Sequence, residues 1–133
     1  MKVRGRVVHL DILWDRGGSF AANCFRFGPE TFLDPGDDPS RYINHSCVPN
    51  AGICKSNNQL FVFAAQPIRA GTEIVFDYST TIGDDDVWVM TCNCGHATCR
   101  KRIRRFGSLP IVVRRRYLET GLVPKYNIRT LRP

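Results

Sequence analysis

The 133-residue chain has no apolar run approaching the roughly 18 residues that a membrane-spanning helix requires, so no membrane partner is expected. Its opening, Met1-Lys2-Val3-Arg4-Gly5-Arg6, lacks the apolar block of a secretory signal, and an intracellular, reducing compartment is expected, cytoplasmic or nuclear. Internal repeats and low-complexity segments are also missing, which excludes solenoids and linker-like chains. Acidic residues almost vanish beyond Cys99: residues 100–133 hold 11 Lys+Arg against 1 Asp+Glu, whereas residues 1–99 hold 8 against 11. The formal +7 is therefore a −3 body carrying a +10 tail. A uniformly basic chain would suggest nucleic acid wrapped over the whole domain; this split leaves nucleic acid only weakly supported. The length suits one domain, and 43% hydrophobic residues exclude a disordered chain.

Read coarsely, the chain is a series of short strands joined by polar turns. Val7–Trp14 is apolar enough for a strand, Asp15–Ser19 reads as a turn, and Phe20–Phe27 pairs in hairpin fashion with Thr31–Leu33. Residues 34–39 form a loop, since two prolines and a glycine do not fit a regular element. Further strands are predicted at Ala51–Cys54, Gln59–Ala65 and Glu73–Tyr78, with turns at Asn57-Asn58 and Ala70-Gly71. Only residues 110–121 read as a helix: Pro110 is permitted in a first turn, Ile111, Val112, Leu118 and Leu122 are apolar, and Gly121 suits the end. The class is mainly β with a helical tail.

Six cysteines stand at 24, 47, 54, 92, 94 and 99. Three thiols within eight residues, Cys92, Cys94 and Cys99, suit one tetrahedral metal better than disulfides reaching separate elements. A fourth ligand is needed: His96 is the local candidate and Cys47 the distant one. Gly95 relaxes so tight a loop, and Arg100, Lys101 and Arg102 offset the charge of a four-thiolate zinc site. Free buried thiols are the competing reading. Cys24 and Cys54 lie in apolar, strand-like settings and read as core.

Two segments stand apart from ordinary strands and turns. Arg41-Tyr42-Ile43-Asn44-His45-Ser46-Cys47-Val48-Pro49-Asn50 is a tightly polar stretch whose Asn, His and Ser can offer hydrogen bonds to a planar polar ligand; a satisfied turn is the alternative. Gly71-Thr72-Glu73-Ile74-Val75-Phe76-Asp77-Tyr78 ends in aromatic, acid and phenol and precedes the acidic run Asp84-Asp85-Asp86.

Taken in order, Asn44-His45-Ser46-Cys47-x-Pro49-Asn50, Gly71-Thr72-Glu73-Ile74-x-Phe76-Asp77-Tyr78 and Cys92-x-Cys94-x4-Cys99 resemble the SET domain family of protein-lysine methyltransferases, the last looking like the family's post-SET zinc motif. The resemblance covers residues 1–106. It implies a SET-type fold of short strands with a knot-like active-site segment, a post-SET zinc loop and a C-terminal helix. Its parts are a SET domain over residues 1–91, the zinc loop over 92–106 and a basic extension over 107–133. It further implies methyl transfer from S-adenosylmethionine to a protein lysine. On it, Asn44, His45, Arg41 and Phe106 hold the cofactor, the Tyr78 hydroxyl sits at the transferring methyl, and Cys47 joins Cys92, Cys94 and Cys99 around zinc, which favours Cys47 over His96. Phe63 and Phe76 become channel walls, Phe63 standing where the family's phenylalanine/tyrosine switch resembles it by spacing. A phenylalanine there lacks the hydroxyl that would hold water, so di- or trimethylation is expected.

The N-terminus departs from the family pattern. Val3–Val8 resembles a segment that usually follows a Gly-x-Gly strand, and that strand is not recognisable. The cofactor pocket is expected to lack a wall there. The explanations are a truncated start, a wall supplied by a homodimer or partner chain, or a catalytically inactive SET-like module. Such a module would engage an acidic partner or nucleic acid through its tail. In the tail, Arg114-Arg115-Arg116 reads as a contact surface for such partners or as a solvated face.

Overall fold

The computed structural model describes residues 1–83, 86 and 89–129. Strand β1 (Lys2–Val3), β6 (Ala51–Ser56) and β7 (Gln59–Ala64) form an antiparallel sheet in the order β1-β7-β6. Asn57 and Asn58 turn β6 into β7 with φ of 48° and 59°, the left-handed pair that a two-residue hairpin of this twist needs. Strand β2 (Arg6–His9), β3 (Phe25–Arg26) and β4 (Thr31–Asp34) form a second antiparallel sheet in the order β2-β4-β3. Gly5 joins β1 to β2 against the Asp34 carbonyl, so close that a Cβ would overlap it. Among the described residues two short pairs complete the β structure: β5 (Asn44–His45) runs parallel to β8 (Val75–Phe76), and β9 (Met90–Thr91) runs antiparallel to β10 (Arg102–Ile103).

Among the described residues four α-helices join these sheets, where one was predicted. Residues 10–16 are helix α1 (Leu10–Arg16) and not the second half of a strand. The His9 Nδ1 accepts the Asp11 N–H at 3.2 Å, Asp11 lies in the first turn and Arg16 in the last, all of which favour a helix here. Only Leu13 is buried, while Ile12 and Trp14 are exposed, so the apolar run did not mark a buried strand. Gly17, at φ 87°, turns the chain directly into α2 (Gly18–Asn23), which replaces the predicted turn and the start of the second predicted strand. The strand expected over Glu73–Tyr78 is reduced to Val75–Phe76, because the Asp77 carboxylate accepts the Ser79 N–H at 3.0 Å and starts a 3-10 turn at Tyr78.

Helix α3 (Ile111–Glu119) follows Pro110 as expected, but Ile111 and Val112 are exposed and Tyr117 is its buried residue. Gly121, at φ 70°, lies just beyond it, and α4 (Lys125–Arg129) was not foreseen. Cys24 and Cys54, expected in the core, are half-buried.

Among the described residues four apolar clusters result. Val3, Phe25, Ile53, Leu60 and Phe76 fill the first; Phe106, Leu109, Tyr117, Leu122 and Val123 the second; Cys47, Ile82, Cys92 and Ile103 the third; Val8, Leu13 and Phe32 the fourth. Tyr78 packs on both the first and the third, at their junction. Among the described residues no helix is long and apolar enough to cross a membrane.

Candidate active site and metal centre

The parallel pairing of β5 with β8 brings together segments thirty residues apart in sequence: Asn44 stands opposite Val75 and His45 opposite Phe76. Asn50 fixes the approach, its amide donating to the Glu73 carbonyl at 2.9 Å and its oxygen accepting the Val75 N–H at 2.9 Å. Buried and used in both directions, it has no neutral substitute of equal reach. Asn44 is exposed, and its amide donates to Glu73 Oε1 at 2.7 Å.

Tyr78 follows β8 directly. Its hydroxyl donates to the Ile43 carbonyl at 2.6 Å, and its backbone N–H donates to His45 Nδ1 at 3.1 Å. The phenol is raised above its ordinary range, by burial first and Glu73 second, so it stays protonated and able to donate near neutral pH. The His45 ring is buried, and burial lowers its pKa against the pull of Asp77, with Arg100 adding to the lowering. Its Nδ1 lies 3.5 Å from Asp77 Oδ1, but that nitrogen already accepts the Tyr78 N–H. A neutral ring, protonated on Nε2, satisfies both observations better than an ion pair. The Nε2 then donates toward Cys47 Sγ, 3.4 Å away.

Phe76 lies 4.8 Å from Tyr78 between ring centroids, and His45 makes an edge contact with Tyr78 at 5.4 Å. A slot of about 40 Å³ opens here, lined by Cys24, Phe25, Arg41, Ile43, Phe76 and Tyr78 among others. Arg41 stands at it, half its fork donating to the Gly36 carbonyl at 3.3 Å. Phe63 and Phe106 lie elsewhere. Phe106 is fully buried beside Leu109 and Tyr117, and Phe63 packs on that same cluster across Gly52. The residues read from the sequence thus divide: Arg41, Asn44, His45, Phe76 and Tyr78 converge, while Phe63 and Phe106 join the C-terminal cluster.

Cys47, Cys92, Cys94 and Cys99 bring their sulfurs within 4.8 Å of one another. Cys47 and Cys99 approach Cys92 at 3.6 Å and 3.5 Å, close to the roughly 3.8 Å between sulfurs of a tetrahedral zinc site. The donor set therefore fits a four-thiolate zinc. His96 is exposed and outside the group. Burial pushes Cys47 up and Cys92 up to about 12. Cys94 is drawn down to about 6 although burial opposes it, because the backbone N–H groups of Cys47 and His96 donate to it. The backbone N–H groups of Arg100 and Lys101 donate to Cys47 and Cys99 at 3.5 Å and 3.4 Å, further support for negative sulfur.

Asp77, Arg100 and Tyr117 meet in a set that no sequence motif joins. Asp77 is fully buried, accepting from Arg100 Nη2 at 2.5 Å and from the Tyr117 hydroxyl at 2.8 Å. The second contact joins residues 40 apart, and no local pattern announces it. Asp86, from the acidic run that follows Tyr78 in sequence, pairs with Arg26 at 3.3 Å and accepts the Gly83 N–H; both side chains are about nine-tenths buried, so this carboxylate is structural. Asp84 and Asp85 lie outside the described residues.

The chain is similar to known methyltransferases in both sequence and fold. It is 33% identical over 94 residues to a histone-lysine N-methyltransferase, H3 lysine-4 specific, of Mycosarcoma maydis, covering 66% of this chain and 6% of that protein. It is 43% identical over 65 residues to the protein of the same description in Cryptococcus neoformans, covering 46% of this chain and 4% of the relative. It thus spans under a tenth of these relatives' length. Among solved structures, KRYPTONITE, crystallised in complex with mCHG DNA and SAH, superposes with a TM-score of 0.57 at 26% identity over 77% of this chain and 23% of that one. The methyltransferase domain of human SETMAR gives a TM-score of 0.60 at 23% identity over 78% of this chain and 48% of that one, a likeness of fold. The SET domain family model matches residues 10–79, which contain both paired strands and Tyr78. The chain belongs to the SET domain family.

Proposed function

We propose that this chain transfers a methyl group from S-adenosylmethionine to the side chain of a protein lysine, with Tyr78 at the reacting atoms and a structural zinc held by Cys47, Cys92, Cys94 and Cys99. The observation that carries this reading is the convergence of the Tyr78 hydroxyl, the Ile43 carbonyl and the Asn44-His45 strand at one slot. Strand β5 pairs with β8 alone, which leaves its other edge without a strand partner among the described residues. That edge and the exposed Asn44 amide fit a planar polar group such as an adenine. The cofactor supplies an electrophilic methyl carbon on a sulfonium.

The chain's own residues do the rest. Transfer is an in-line displacement, so positioning and the exclusion of water dominate, and no general base is obligatory. The narrow slot walled by Phe25, Phe76 and Ile43 suits an aliphatic lysine stem and disfavours its charged ammonium by desolvation. The Tyr78 oxygen, held by Ile43, defines one side of the position the lysine nitrogen must take. Phe76, and not Phe63, is the phenylalanine beside Tyr78. It has no hydroxyl to retain a water that would crowd a methylated amine, which supports a di- or trimethyl product.

The test has two arms. Calorimetry on the zinc-loaded chain should show S-adenosylmethionine binding, and Tyr78→Phe should keep that binding while turnover on a lysine peptide falls at least about 100-fold. No detectable cofactor binding would leave the other reading, a zinc-built module that engages an acidic partner or nucleic acid through Arg114–Arg116. Binding only in the presence of a second chain, of this protein or a partner, would locate part of the cofactor pocket on that chain. The grouping of Cys47, Cys92, Cys94 and Cys99 around one point, in place of disulfides, accords with a reducing intracellular compartment.

A further inference from the structure

A second concavity, of about 480 Å³, lies between α3 and the stretch that follows Cys47. Its apolar wall includes Val48, Pro49, Val113 and Leu122, and two guanidinium groups, those of Arg100 and Arg116, stand at it. Among the described residues none of its lining side chains is acidic, although the body of the chain is otherwise slightly acidic. Arg100 spends Nη2 on Asp77, yet its buried Nε has no hydrogen-bond partner. Arg116 is exposed, its guanidinium carbon 5.5 Å from the Tyr117 ring. None of Arg41, Asn44, His45 or Tyr78 lines this cleft, so it is separate from the slot at Tyr78.

The volume falls within the roughly 300–1,000 Å³ of small-molecule sites. Two guanidinium groups beside an apolar wall select a ligand with an anionic head and an apolar body. We propose that this cleft binds a small amphipathic anion of the aryl phosphate or aryl carboxylate class, its head between Arg100 and Arg116 and its body on Val48, Val113 and Leu122. The assignment is independent of the methyl-transfer reading, since it uses none of the residues at Tyr78.

Phenyl phosphate is the probe, titrated into the zinc-loaded chain by calorimetry and followed through backbone amide shifts. It should bind at least about tenfold more tightly than inorganic phosphate, shifting amides near Val48, Val113 and Thr120. Arg116→Gln should weaken it about tenfold, whereas Arg115→Gln, which removes the same charge from an exposed position of the same helix, should leave it unchanged. Saturating S-adenosylmethionine should not displace it. Equal affinity for inorganic phosphate, equal loss in the two arginine variants, or displacement by the methyl donor would each overturn the assignment. Tighter binding by a short phosphotyrosine peptide would overturn it in favour of a phosphorylated protein partner.

Discussion

Cys24 stands at the Tyr78 slot half-buried, and burial together with Asp34 raises its thiol from 9.0 to about 11, against the pull of Arg16 and Arg41. Folding therefore favours the neutral thiol. Its contribution to stability is complete below about pH 9 and is lost as pH rises through about 11. Cys24→Ser, which cannot ionise there, should show a shallower alkaline fall in Tm than the parent chain, and identical slopes by calorimetry would contradict the shift. The same residue illustrates what sequence can reveal at this scale. Its apolar neighbours pointed to the core, whereas it is half-buried at a slot whose position depends on Tyr78, 54 positions away in the chain. By contrast the zinc ligands Cys92, Cys94 and Cys99 were legible at once, because a chelating loop must carry its donors at short, fixed spacing.

At the scale of elements, Asp77 is where three of them meet: the 3-10 turn through Ser79, the stretch after Cys99 through Arg100, and α3 through Tyr117. The carboxylate has no water to fall back on, so each donor counts. Burial first, then Asp77, raises the Tyr117 phenol far above its ordinary range, which keeps it a donor at any physiological pH. Tyr117→Phe removes that donor while conserving the ring, and should cost about 2 kcal/mol in urea unfolding, the usual value of a hydrogen bond to a charged group. A loss near zero would show that Arg100 and Ser79 alone satisfy Asp77. Helices α1 and α2 were misread for a reason of the same scale. Leu10–Trp14 is dense in apolar residues, yet burial selects Leu13 and leaves Ile12 and Trp14 exposed, and density without periodicity does not separate helix from strand. Helix α4 depends on Asn127, whose amide donates to the carbonyls of Thr80 at 2.6 Å and Ile82 at 3.2 Å, partners more than forty positions away.

For the whole molecule, the third apolar cluster is small and built around thiols, so its strength rests on what the sulfurs hold. Zinc should bind at about one per chain, and chelation should release it and remove amide exchange protection over residues 92–106 while the sheet of β1, β6 and β7 keeps its own. A metal assay reading zero would refute the four-thiolate site. The three motifs, read in order, were enough to place the chain in its family, because each keeps its polar, aromatic or thiol residues at short, fixed spacing. What they did not show is the way the C-terminal extension closes on the back of the site, since that depends on side chains meeting across the fold. The Cys47–Cys92 contact has one more consequence. One zinc held by both sulfurs would close the 44 residues between them into a ring for as long as the metal stays bound. So closed, the stretch would lose the full reach of about 150 Å that it could otherwise explore, and any denatured state that keeps the metal would be smaller.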